Sequence, residues 1–310
     1  MSHFVKLSVK NSCFLIANPT SGNGNFSKKW KKIQHILKTK KIDYSFAFTK
    51  YSKHEIELVN TAIQQGFRII ISIGGDGTLH NVVNGIMLQT YIKTSELTIG
   101  VIPLGTGNDW IKTYNIPNDI EKAIAIINQH NVILQDIGVI EKNDKKLHYF
   151  NNVAGLGYDG YIVNKLNSLK SFGAVAYLLS GLYGLLFYKK NTFKILFNDT
   201  VIKTKCLMTV VGICQFSGGG MQFTKDVNPT DGLLDVTIAK NLTFIDLVLN
   251  LPKLYSGKIV HHKKVETYKT NEIIIIPINS KPFIQADGEL IGTGKIKVTI
   301  VKNATQFFIK

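Results

Sequence analysis

The sequence has little cysteine, almost no arginine and no apolar run long enough to cross a bilayer. Its cysteines, Cys13, Cys206 and Cys214, lie in apolar stretches without metal-ligand spacing, so we expect buried thiols in a reducing cytoplasm. The first residues lack a continuous apolar segment before a cleavage site, so we expect no signal peptide. The uncharged stretch 172–188 contains three glycines and a serine. A membrane span needs about 20 mostly apolar residues, so this stretch predicts a buried or membrane-facing helix.

The scarcity of arginine decides how the large positive charge is interpreted. The formal net charge is +16, and Arg68 is the only arginine. Nucleic-acid-binding proteins favour clustered arginine beside exposed aromatic side chains, whereas these lysines are dispersed, so the sequence argues against a nucleic-acid partner. A diffuse lysine-rich surface suits anionic phospholipid headgroups, where each lysine near the membrane contributes about 1 kcal/mol. Base composition of the genome and solvated helix faces would account for the same lysines, and that alternative stays open.

Length and pattern indicate two domains of different architecture. The 310 residues include 45% hydrophobic and 19% charged residues, which is typical of a soluble globular protein. Strand and helix patterns alternate up to about residue 135, which predicts an α/β domain with a doubly wound parallel sheet. Longer strand-like runs follow and predict a mainly antiparallel β-sandwich. We therefore place the domains at 1–135 and 136–302, with a last strand at about 303–310 that returns to the first domain.

The expected elements follow from the same patterns. Apolar residues at helical spacing from Leu242 to Tyr255 predict a core-packing helix of the second domain, with lipid contact as the alternative. The predicted helices of the first domain are 27–41, 53–66, 77–90 and 118–129, and its predicted strands are 13–17, 44–48, 69–73 and 98–102.

The segment Gly74-Gly75-Asp76-Gly77-Thr78 carries the strongest functional signal. It follows an apolar strand-like run directly and leads into a helical pattern. Such a turn presents backbone N–H groups and the positive end of a helix to a polyphosphate. Because Asp76 would repel phosphate unless a divalent cation lay between them, the segment predicts a metal-nucleotide site.

Two further strand ends repeat this design. A short apolar strand ends in Asn18-Pro19-Thr20-Ser21-Gly22, and another ends in Gly105-Thr106-Gly107-Asn108-Asp109. Ligands of an open parallel sheet bind beyond the carboxyl ends of its strands. We therefore expect the three glycine-rich loops to converge on one crevice.

These loops resemble the diacylglycerol kinase catalytic-domain family, which includes bacterial lipid kinases and is related to sphingosine kinases. The family pattern has an Asn-Pro-x-Ser-Gly loop, a Gly-Gly-Asp-Gly-Thr loop and a Gly-Thr-x-Asn-Asp loop, matched here at 18–22, 74–78 and 105–109. Asp231-Gly232-Leu233-Leu234-Asp235 and Ala286-Asp287-Gly288-Glu289 resemble the motifs of its second domain. The order and spacing fit along essentially the whole chain. One departure is Asn81, where family members usually have Glu.

Phosphoryl transfer to an alcohol needs a held nucleotide, a metal on its phosphates and a base for the hydroxyl. The resemblance implies a Mg²⁺ ion near Asp76, Asp109 and Asp136, although a strand-end cap explains Asp136 equally well. Thr49 falls where the family has a nucleotide-contacting threonine. The nucleotide-binding set thus comprises Asn18, Pro19, Thr20, Ser21, Gly22, Thr49, Gly74, Gly75, Asp76, Gly77, Thr78, Leu79, His80, Asn81, Thr106 and Asn108.

Two acidic turns of the second domain complete the predicted site. Asp287, in a turn flanked by glycine, is the candidate general base, and Glu289 would orient it. An ordinary Asp-Gly hairpin turn is the structural alternative. The carboxylate of Asp231 and the backbone carbonyl groups of Asn228 and Leu233 are oxygen ligands that suit a hard divalent cation. The family holds a structural Mg²⁺ in this loop, and a metal-free turn is the alternative.

The sequence therefore predicts an ATP-dependent lipid kinase that transfers the γ-phosphoryl group to a lipid hydroxyl. Diacylglycerol is the first candidate substrate, and its product would be phosphatidic acid. We expect a cytoplasmic protein that associates transiently with the membrane surface and its anionic headgroups. The sequence leaves open whether the protein forms a homodimer. An NAD kinase-like enzyme shares the Gly-Gly-Asp-Gly-Thr loop and is the first alternative. A catalytically inactive lipid-binding protein is the second, suggested by Asn81.

Overall fold

Strands alternate with helices along the first 135 residues of the structure, a computed structural model that describes residues 12–22, 24–105, 107–166, 181 and 183–310. Two compact units are present: Met1–Gln135 with Ala304–Lys310, and Asp136–Asn303. The last strand contributes to both units, since its residues from Ala304 onward belong to the first. The sequence placed the corresponding boundary at 135/136 and the return of the chain at about 303.

The first unit is built on parallel strands. Strand β1 pairs with β2 on one side and β3 on the other, and β3 pairs with β4, all in parallel. The end of β18 adds a parallel neighbour to β4 through Gln306 and Phe307. The strands are β1 Cys13–Ala17, β2 Tyr44–Phe48, β3 Ile69–Gly74, β4 Thr98–Pro103 and β18 Ile296–Phe308, and the helices are α1 Phe26–Thr39, α2 His54–Gln64, α3 Asp76–Leu88, α4 Asp109–Thr113 and α5 Ile120–Gln129.

Helix packing explains why the carboxyl ends of these strands stay open for a site. Helix α1 buries Trp30, Ile33, Ile36 and Leu37, a helical spacing that packs one face into a core with the strands and α5. Helices α2 and α3 pack closely, because a Cβ atom at Gly85 would lie 2.9 Å from the Val59 Cβ atom. The helices thus bury the faces of the sheet, and the loops at the strand ends carry the polar residues.

The second unit is a mainly antiparallel β-structure. One sheet has the order β14-β13-β10-β7-β16-β17, in which every neighbour pair is antiparallel. Other antiparallel pairs join β8 to β9, β8 to β15 and β15 to the first part of β18. The strands are β5 Val132–Lys142, β6 Leu147–Phe150, β7 Val153–Gly157, β8 Asn191–Phe197, β9 Thr200–Cys206, β10 Met208–Gly212, β11 Phe216–Ser217, β12 Met221–Gln222, β13 Leu234–Ala239, β14 Val265–Thr270, β15 Glu272–Ile278, β16 Phe283–Ala286 and β17 Glu289–Thr293, and the helices are α6 Tyr158–Leu166, α7 Phe244–Leu249 and α8 Leu251–Tyr255.

The predicted fold class, a doubly wound parallel-sheet domain followed by an antiparallel β-sandwich, is confirmed. One predicted element differs: the helix expected over Leu242–Tyr255 is broken into α7 and α8 at Asn250. Pro252 lacks the N–H group that a continuous helix would need there. The Asn250 amide nitrogen Nδ2 instead donates to the carbonyl oxygen of Asp246 at 2.6 Å and closes α7.

Two expectations concern the scarce residues and the uncharged stretch. Cys13, Cys206 and Cys214 are buried free thiols, as predicted. Most of the stretch 172–188 lies outside the described residues. Among the residues that the structure does describe, no helix is long and apolar enough to cross a membrane.

Candidate functional site

The glycine loops of the first unit contact one another at the carboxyl ends of their strands. We refer to 18–22, 74–78 and 105–109 as the first, second and third glycine loops. The Asn18 amide nitrogen Nδ2 donates to the Thr78 hydroxyl at 3.3 Å, which joins the first loop to the second. Within the first loop, the Asn18 oxygen Oδ1 accepts hydrogen bonds from the Thr20 backbone N–H and hydroxyl. Pro19, Ser21 and Gly22 complete this turn, with the Ser21 N–H group donating to the Asn18 carbonyl oxygen.

The second and third loops touch backbone to backbone. A Cβ atom at Gly105 would lie 2.7 Å from the Gly75 Cα atom, a distance that real Cβ contacts do not show. A Cβ atom at Gly74 would lie 2.3 Å from the Thr78 hydroxyl oxygen. Glycine is therefore required at these two positions: a side chain at Gly105 would push the second and third loops apart, and one at Gly74 would displace Thr78 within the second loop.

Asp76 ties the second loop to the third. Its carboxylate accepts the Asp109 backbone N–H at 2.9 Å and the Trp110 N–H at 3.4 Å, and so caps the first turn of α4. Asp109 is buried and pairs with the Lys112 ammonium group at 2.6 Å. Asn108 adopts a left-handed conformation (φ 46°), and its amide nitrogen donates to the Gly105 carbonyl oxygen at 2.7 Å. Thr106 lies outside the described residues.

The remaining predicted nucleotide residues are placed by the strand ends and by α3. The Thr49 N–H group donates to the Ala17 carbonyl oxygen at 3.0 Å, so this residue follows β2 beside the first loop. Leu79 and His80 are buried in α3. The Asn81 amide nitrogen donates to the Glu55 carboxylate at 3.2 Å, and Glu55 is only 3% exposed. A glutamate at position 81 would place a second carboxylate beside Glu55, so the amide matches its neighbour electrostatically.

Lys29 is a basic residue of this site that the sequence did not single out. A Cβ atom at Gly22 would lie 3.0 Å from the Lys29 ammonium nitrogen, so this charge lies against the first glycine loop. Gly22 itself has a positive φ of 90°. The available signal was the lysine-rich helix that follows the loop, but any of its lysines would have fitted that signal.

Asp287 lies in the tight turn between β16 and β17 in the second unit. Both Asp287 (φ 51°) and Gly288 (φ 79°) have positive φ, as a two-residue hairpin turn requires. The Asp287 carboxylate accepts backbone N–H groups from Asn151 at 3.1 Å, Asn152 at 3.0 Å and Val153 at 3.1 Å. These donors fix the orientation of the carboxylate. Glu289 is the half-buried first residue of β17.

Asp136 belongs to the second unit, whereas Asp76 and Asp109 belong to the first. It is buried, and its oxygens accept the Gly232 N–H and the Asn303 N–H, each at 2.7 Å. The carboxylate therefore anchors the loop that contains Asp231 to β18. Its role as a ligand of a nucleotide-bound cation stays a prediction.

The ammonium group of Lys269, in β14, lies against the Asp231 loop. One Asp231 oxygen accepts the Leu233 N–H at 2.9 Å, and the other pairs with the Lys269 ammonium group at 2.9 Å. Lys269 also lies 3.6 Å from Asp235, whose pKa is raised by burial to about 7 although the ammonium group opposes the shift. The side chain of Asn228 accepts hydrogen bonds from Thr230. Within the described ranges, no group of three or more acidic, histidine or cysteine side chains is placed to hold a metal.

An apolar pocket with one carboxyl group is the feature of the second unit that the sequence did not reveal. Asp159 lies in its wall and accepts a hydrogen bond from the Gln285 amide nitrogen at 2.5 Å. Burial raises the pKa of Asp159 to about 6. The Gln285 oxygen Oε1 accepts the N–H group of Gly288, the residue that follows Asp287. The rest of the lining is largely apolar and includes Tyr158, Ile162, Leu207, Met208, Met221, Phe223, Leu247, Leu251 and Leu254.

The only local signal for this pocket was Gly155-Leu156-Gly157-Tyr158-Asp159, a glycine-containing strand that leads into α6. Gly155 makes room for the carboxyl group, because a Cβ atom there would lie 2.0 Å from an Asp159 oxygen. The other lining residues come from segments far apart in the sequence, which no single motif connects.

A parallel sheet with converging glycine loops, followed by an antiparallel sandwich, defines a two-domain kinase fold. Residues 12–140 match the family described as "Diacylglycerol kinase catalytic domain", and residues 152–309 match "YegS C-terminal NAD kinase beta sandwich-like domain". The motif-based prediction is confirmed: residues 12–140 form a diacylglycerol kinase catalytic domain, and the chain belongs to the family of the YegS C-terminal domain, whose model matches residues 152–309.

Named relatives agree with this assignment, and a solved structure has the same fold. Proteins named diacylglycerol kinase from Staphylococcus carnosus and Staphylococcus saprophyticus are 29% and 28% identical over 283 and 284 residues. The matches cover 90% of this chain and 88% of each relative. A crystal structure titled as a diacylglycerol kinase from Bacillus anthracis has a TM-score of 0.72 at 20% identity and covers 97% of both chains. At that identity, the likeness to the solved structure shows the fold.

Proposed function

We propose that this protein is an ATP-dependent lipid kinase that transfers the γ-phosphoryl group to a lipid hydroxyl, with diacylglycerol as the first candidate. The observation that carries this proposal is the junction of the three glycine loops through Asn18, Gly105 and Asp76. It gathers backbone N–H groups, a helix N-terminus and carboxylates at one sheet edge, as a phosphate chain with its cation requires.

The nucleotide phosphates would lie over these loops. The backbone N–H groups of Gly22 and Gly75–Thr78 would donate to phosphate oxygens, since those of Thr20 and Ser21 already donate to Asn18. The Lys29 ammonium group would supply a positive charge beside the first loop. Asp76 and Asp109 fit a Mg²⁺ ion, because the absence of a side chain at Gly107 keeps space beside Asp76: a Cβ atom there would lie 3.2 Å from its oxygen. When bound, Mg²⁺ neutralises charge on the phosphates.

Asp287 would act as the general base for the acceptor hydroxyl. Its three backbone donors hold the carboxylate in one orientation, which favours proton removal from a hydroxyl within hydrogen-bond reach. As the oxygen of the hydroxyl attacks the γ-phosphorus, the bond from that phosphorus to the β,γ-bridging oxygen breaks, ADP leaves, and the hydroxyl proton passes to the Asp287 carboxylate. Glu289 would orient the turn that carries this base.

The apolar pocket supports a lipid acceptor. Its aliphatic and aromatic lining suits an acyl chain, and Asp159 offers one polar contact to a glycerol hydroxyl. The hydrogen-bond path from Asp159 through Gln285 to Gly288 connects this wall to the turn of Asp287. A lipid held there would therefore have its polar end on the side of the proposed base.

We also propose that a structural Mg²⁺ competes with Lys269 for Asp231. The buried oxygen Oδ2 of Asp235 has no hydrogen-bond partner among the described residues, and it lies near the same ammonium group. Backbone carbonyl groups of Asn228 and Leu233 would complete the oxygen ligands if the cation replaced the ammonium group.

An NAD kinase-like reaction is the second candidate, favoured by the description of the matched second domain as NAD kinase-like. An inactive lipid-binding protein is the third, and the pairing of Asn81 with Glu55 is the observation that bears on it.

One assay separates the three candidates. Purified protein would be incubated with γ-labelled ATP, Mg²⁺ and either diacylglycerol in mixed micelles, a total lipid extract or NAD, and the product identified by mass. We expect labelled phosphatidic acid or another phosphorylated lipid, and no labelled NADP. Labelled NADP alone would favour the second candidate, and no product from folded protein that binds ATP would favour the third.

A further inference from the structure

Helix α7 exposes an apolar face to solvent. Ile245 is 67% exposed, Val248 42% and Leu249 73%. Their spacing of three and four residues places them on one side of the helix. Phe244 and Leu247 lie on the other side and pack into the apolar core of the second unit. The helix is therefore apolar on both faces, which packing within the unit does not require.

Lysines outnumber acidic residues in the segment that contains this face. Residues 240–264 contain five lysines and a single acidic residue, Asp246. Asp246 pairs with the Lys264 ammonium group at 2.5 Å and caps α7 through Thr243, and these contacts hold its pKa well below the usual range. Lys253 and Lys258 are exposed beyond the apolar face. Glu266, in β14, pairs with the Lys240 ammonium group, so residues 240–266 hold five lysines against two acidic residues and keep a net positive charge.

A second exposed apolar segment is tied to the same place. The Lys190 ammonium group donates to the Asn241 side chain at 2.7 Å, just before α7 begins. Leu186 and Phe187, a few residues before Lys190, are exposed, whereas Leu185 packs into the same core as Leu247. Exposed apolar side chains and lysines therefore continue from one segment to the other.

The inner faces of α7 and α8 line the apolar pocket. Leu247, Leu251 and Leu254 point into it, while Ile245 and Leu249 are exposed. Tyr255, at the end of α8, is 40% exposed, and tyrosine favours the boundary between lipid and water. The same helix pair thus carries an outer apolar surface and an inner apolar wall.

We infer that the outer face of α7 and α8 docks onto an anionic lipid bilayer, with Ile245, Val248 and Leu249 entering the interface and Lys253 and Lys258 contacting headgroup phosphates. Two observations choose this occupant. Exposed apolar side chains with exposed lysines on the neighbouring segment suit the interface of an anionic bilayer. A second copy of the chain would bring the same lysines face to face, where like charges repel. The choice of a bilayer also rests on the proposed function, since the pocket behind these helices would receive its lipid there.

Vesicle sedimentation tests this surface without any turnover. Wild-type protein would be mixed with vesicles of phosphatidylcholine alone or with one third phosphatidylglycerol, at low and high salt. The test variant is Ile245→Ser/Leu249→Ser, and the matched control is Val201→Ser, since Val201 is 60% exposed on β9. Lys253→Glu/Lys258→Glu tests the charges, with exposed Lys203→Glu as control. Melting curves establish that each variant is folded.

We expect wild-type protein to bind the anionic vesicles and to dissociate as salt shortens the screening length. The apolar double variant should bind at least about tenfold more weakly, the charge variant should lose its preference for anionic vesicles, and both controls should bind like wild type. Unchanged binding of either test pair, or no binding by wild type, would overturn the inference. If the charge pair folds and the apolar pair does not, the charge pair alone decides.

Two further measurements separate this inference from its rivals. The first is sedimentation velocity: a wild-type dimer that becomes a monomer in the Ile245→Ser/Leu249→Ser variant would contradict the inference. Phosphorylation of a short-chain, water-soluble diacylglycerol should be unaffected by that double variant. Activity on the soluble lipid without vesicle binding would contradict the docking surface and support the proposed function. Vesicle binding without phosphorylation of any lipid would support the docking surface and contradict the proposed function.

Discussion

The two units build their polar sites in different ways. In the first, residues next to each other in the sequence supply each loop, and the loops join through short contacts such as Asn18 to Thr78 and Asp76 to Asp109. In the second, Asp287 and Asp159 depend on partners far along the chain, among them Asn151 and Gln285. Motifs therefore predict the loops of the first site, whereas in the second a motif singles out Asp287 and only the folded chain shows its partners and Asp159.

The largest expected effect concerns the charge of Asp76. Asp76→Asn keeps an oxygen that can accept the Asp109 N–H but removes the charge that we assign to the metal, so phosphoryl transfer should fall by about 10³-fold. The variant should stay folded but lose about 1–2 kcal/mol of unfolding free energy, because one of the two carboxylate oxygens that accept the Asp109 and Trp110 N–H groups becomes an amide nitrogen. Kinase assays and melting curves check both parts. Wild-type activity in folded Asp76→Asn protein would contradict the site in the first unit.

The next largest effect is on the free energy of unfolding and tests the close approach of the second and third glycine loops. Gly75→Ala is the matched control for Gly105→Ala. Gly105→Ala should cost about 1–3 kcal/mol of unfolding free energy, because its Cβ atom would meet the Gly75 Cα atom at 2.7 Å. Gly75→Ala should cost less than about 1 kcal/mol, because its nearest contact is an ordinary 3.4 Å. Urea unfolding measures the difference. Equal costs would show that the loops can separate freely.

The second unit should respond to pH through Asp159. Burial raises the pKa of this carboxyl group from 3.8 to about 6. Between these values the folded state keeps a proton that the unfolded state has lost, so the free energy of unfolding should fall as pH rises through this window and level off above about 6. Asp159→Asn should remove that slope and leave the variant about 1–2 kcal/mol more stable than wild type at neutral pH, after allowance for partial exposure.

Urea unfolding of both proteins measures that difference. The pH is varied from about 4 to about 8, which covers most of the window between the two pKa values and the plateau above it. If the dependence on pH persists in Asp159→Asn, another group causes it. Glu121→Gln is the control for the loss of one acidic residue, because Glu121 is exposed on α5.

The smallest effect concerns the Asp231 loop. Asp231→Ala should lower stability by about 1 kcal/mol, through loss of the Lys269 pair and of the Leu233 N–H acceptor. If the loop takes Mg²⁺ in competition with Lys269, the variant should also lose the stabilisation that added Mg²⁺ gives to wild type. Melting curves with Mg²⁺ or a chelator measure this, with Asp144→Ala, which removes an exposed ion pair, as control. The same Mg²⁺ response in Asp231→Ala and wild type would contradict the cation site.

The sequence predicted the fold class and the order of strands and loops in the first unit, because β1, β3 and β4 each end in a glycine-containing turn before a helix. It missed α4, which has only five residues and begins after the left-handed Asn108. It also missed the break at Asn250, since the apolar spacing of 242–255 continues through Pro252. Propensity and periodicity describe long elements well and end caps poorly.

Side-chain partners were harder to predict than loops. The sequence predicted Asp136 beside Asp76 and Asp109 at a Mg²⁺ ion, which stays a prediction, but it did not show that the Asp136 carboxylate accepts the N–H groups of Gly232 and Asn303. The pairing of Asn81 with Glu55 and the approach of Lys29 to Gly22 likewise depend on helix packing. Such contacts join residues that no local pattern relates, so they became visible only in the folded chain.

The division of labour between the units is tested most directly by Asp287→Asn, with ATP affinity and phosphoryl transfer measured separately on the same folded protein. The account predicts unchanged affinity for ATP with Mg²⁺, measured by calorimetry, and a rate of transfer to diacylglycerol that falls by about 10² to 10⁴. Loss of the carboxylate acceptor should also lower stability by about 1–3 kcal/mol, because the Asn151, Asn152 and Val153 N–H groups would meet an amide. Transfer near the wild-type rate, or loss of ATP binding by a folded variant, would contradict the account.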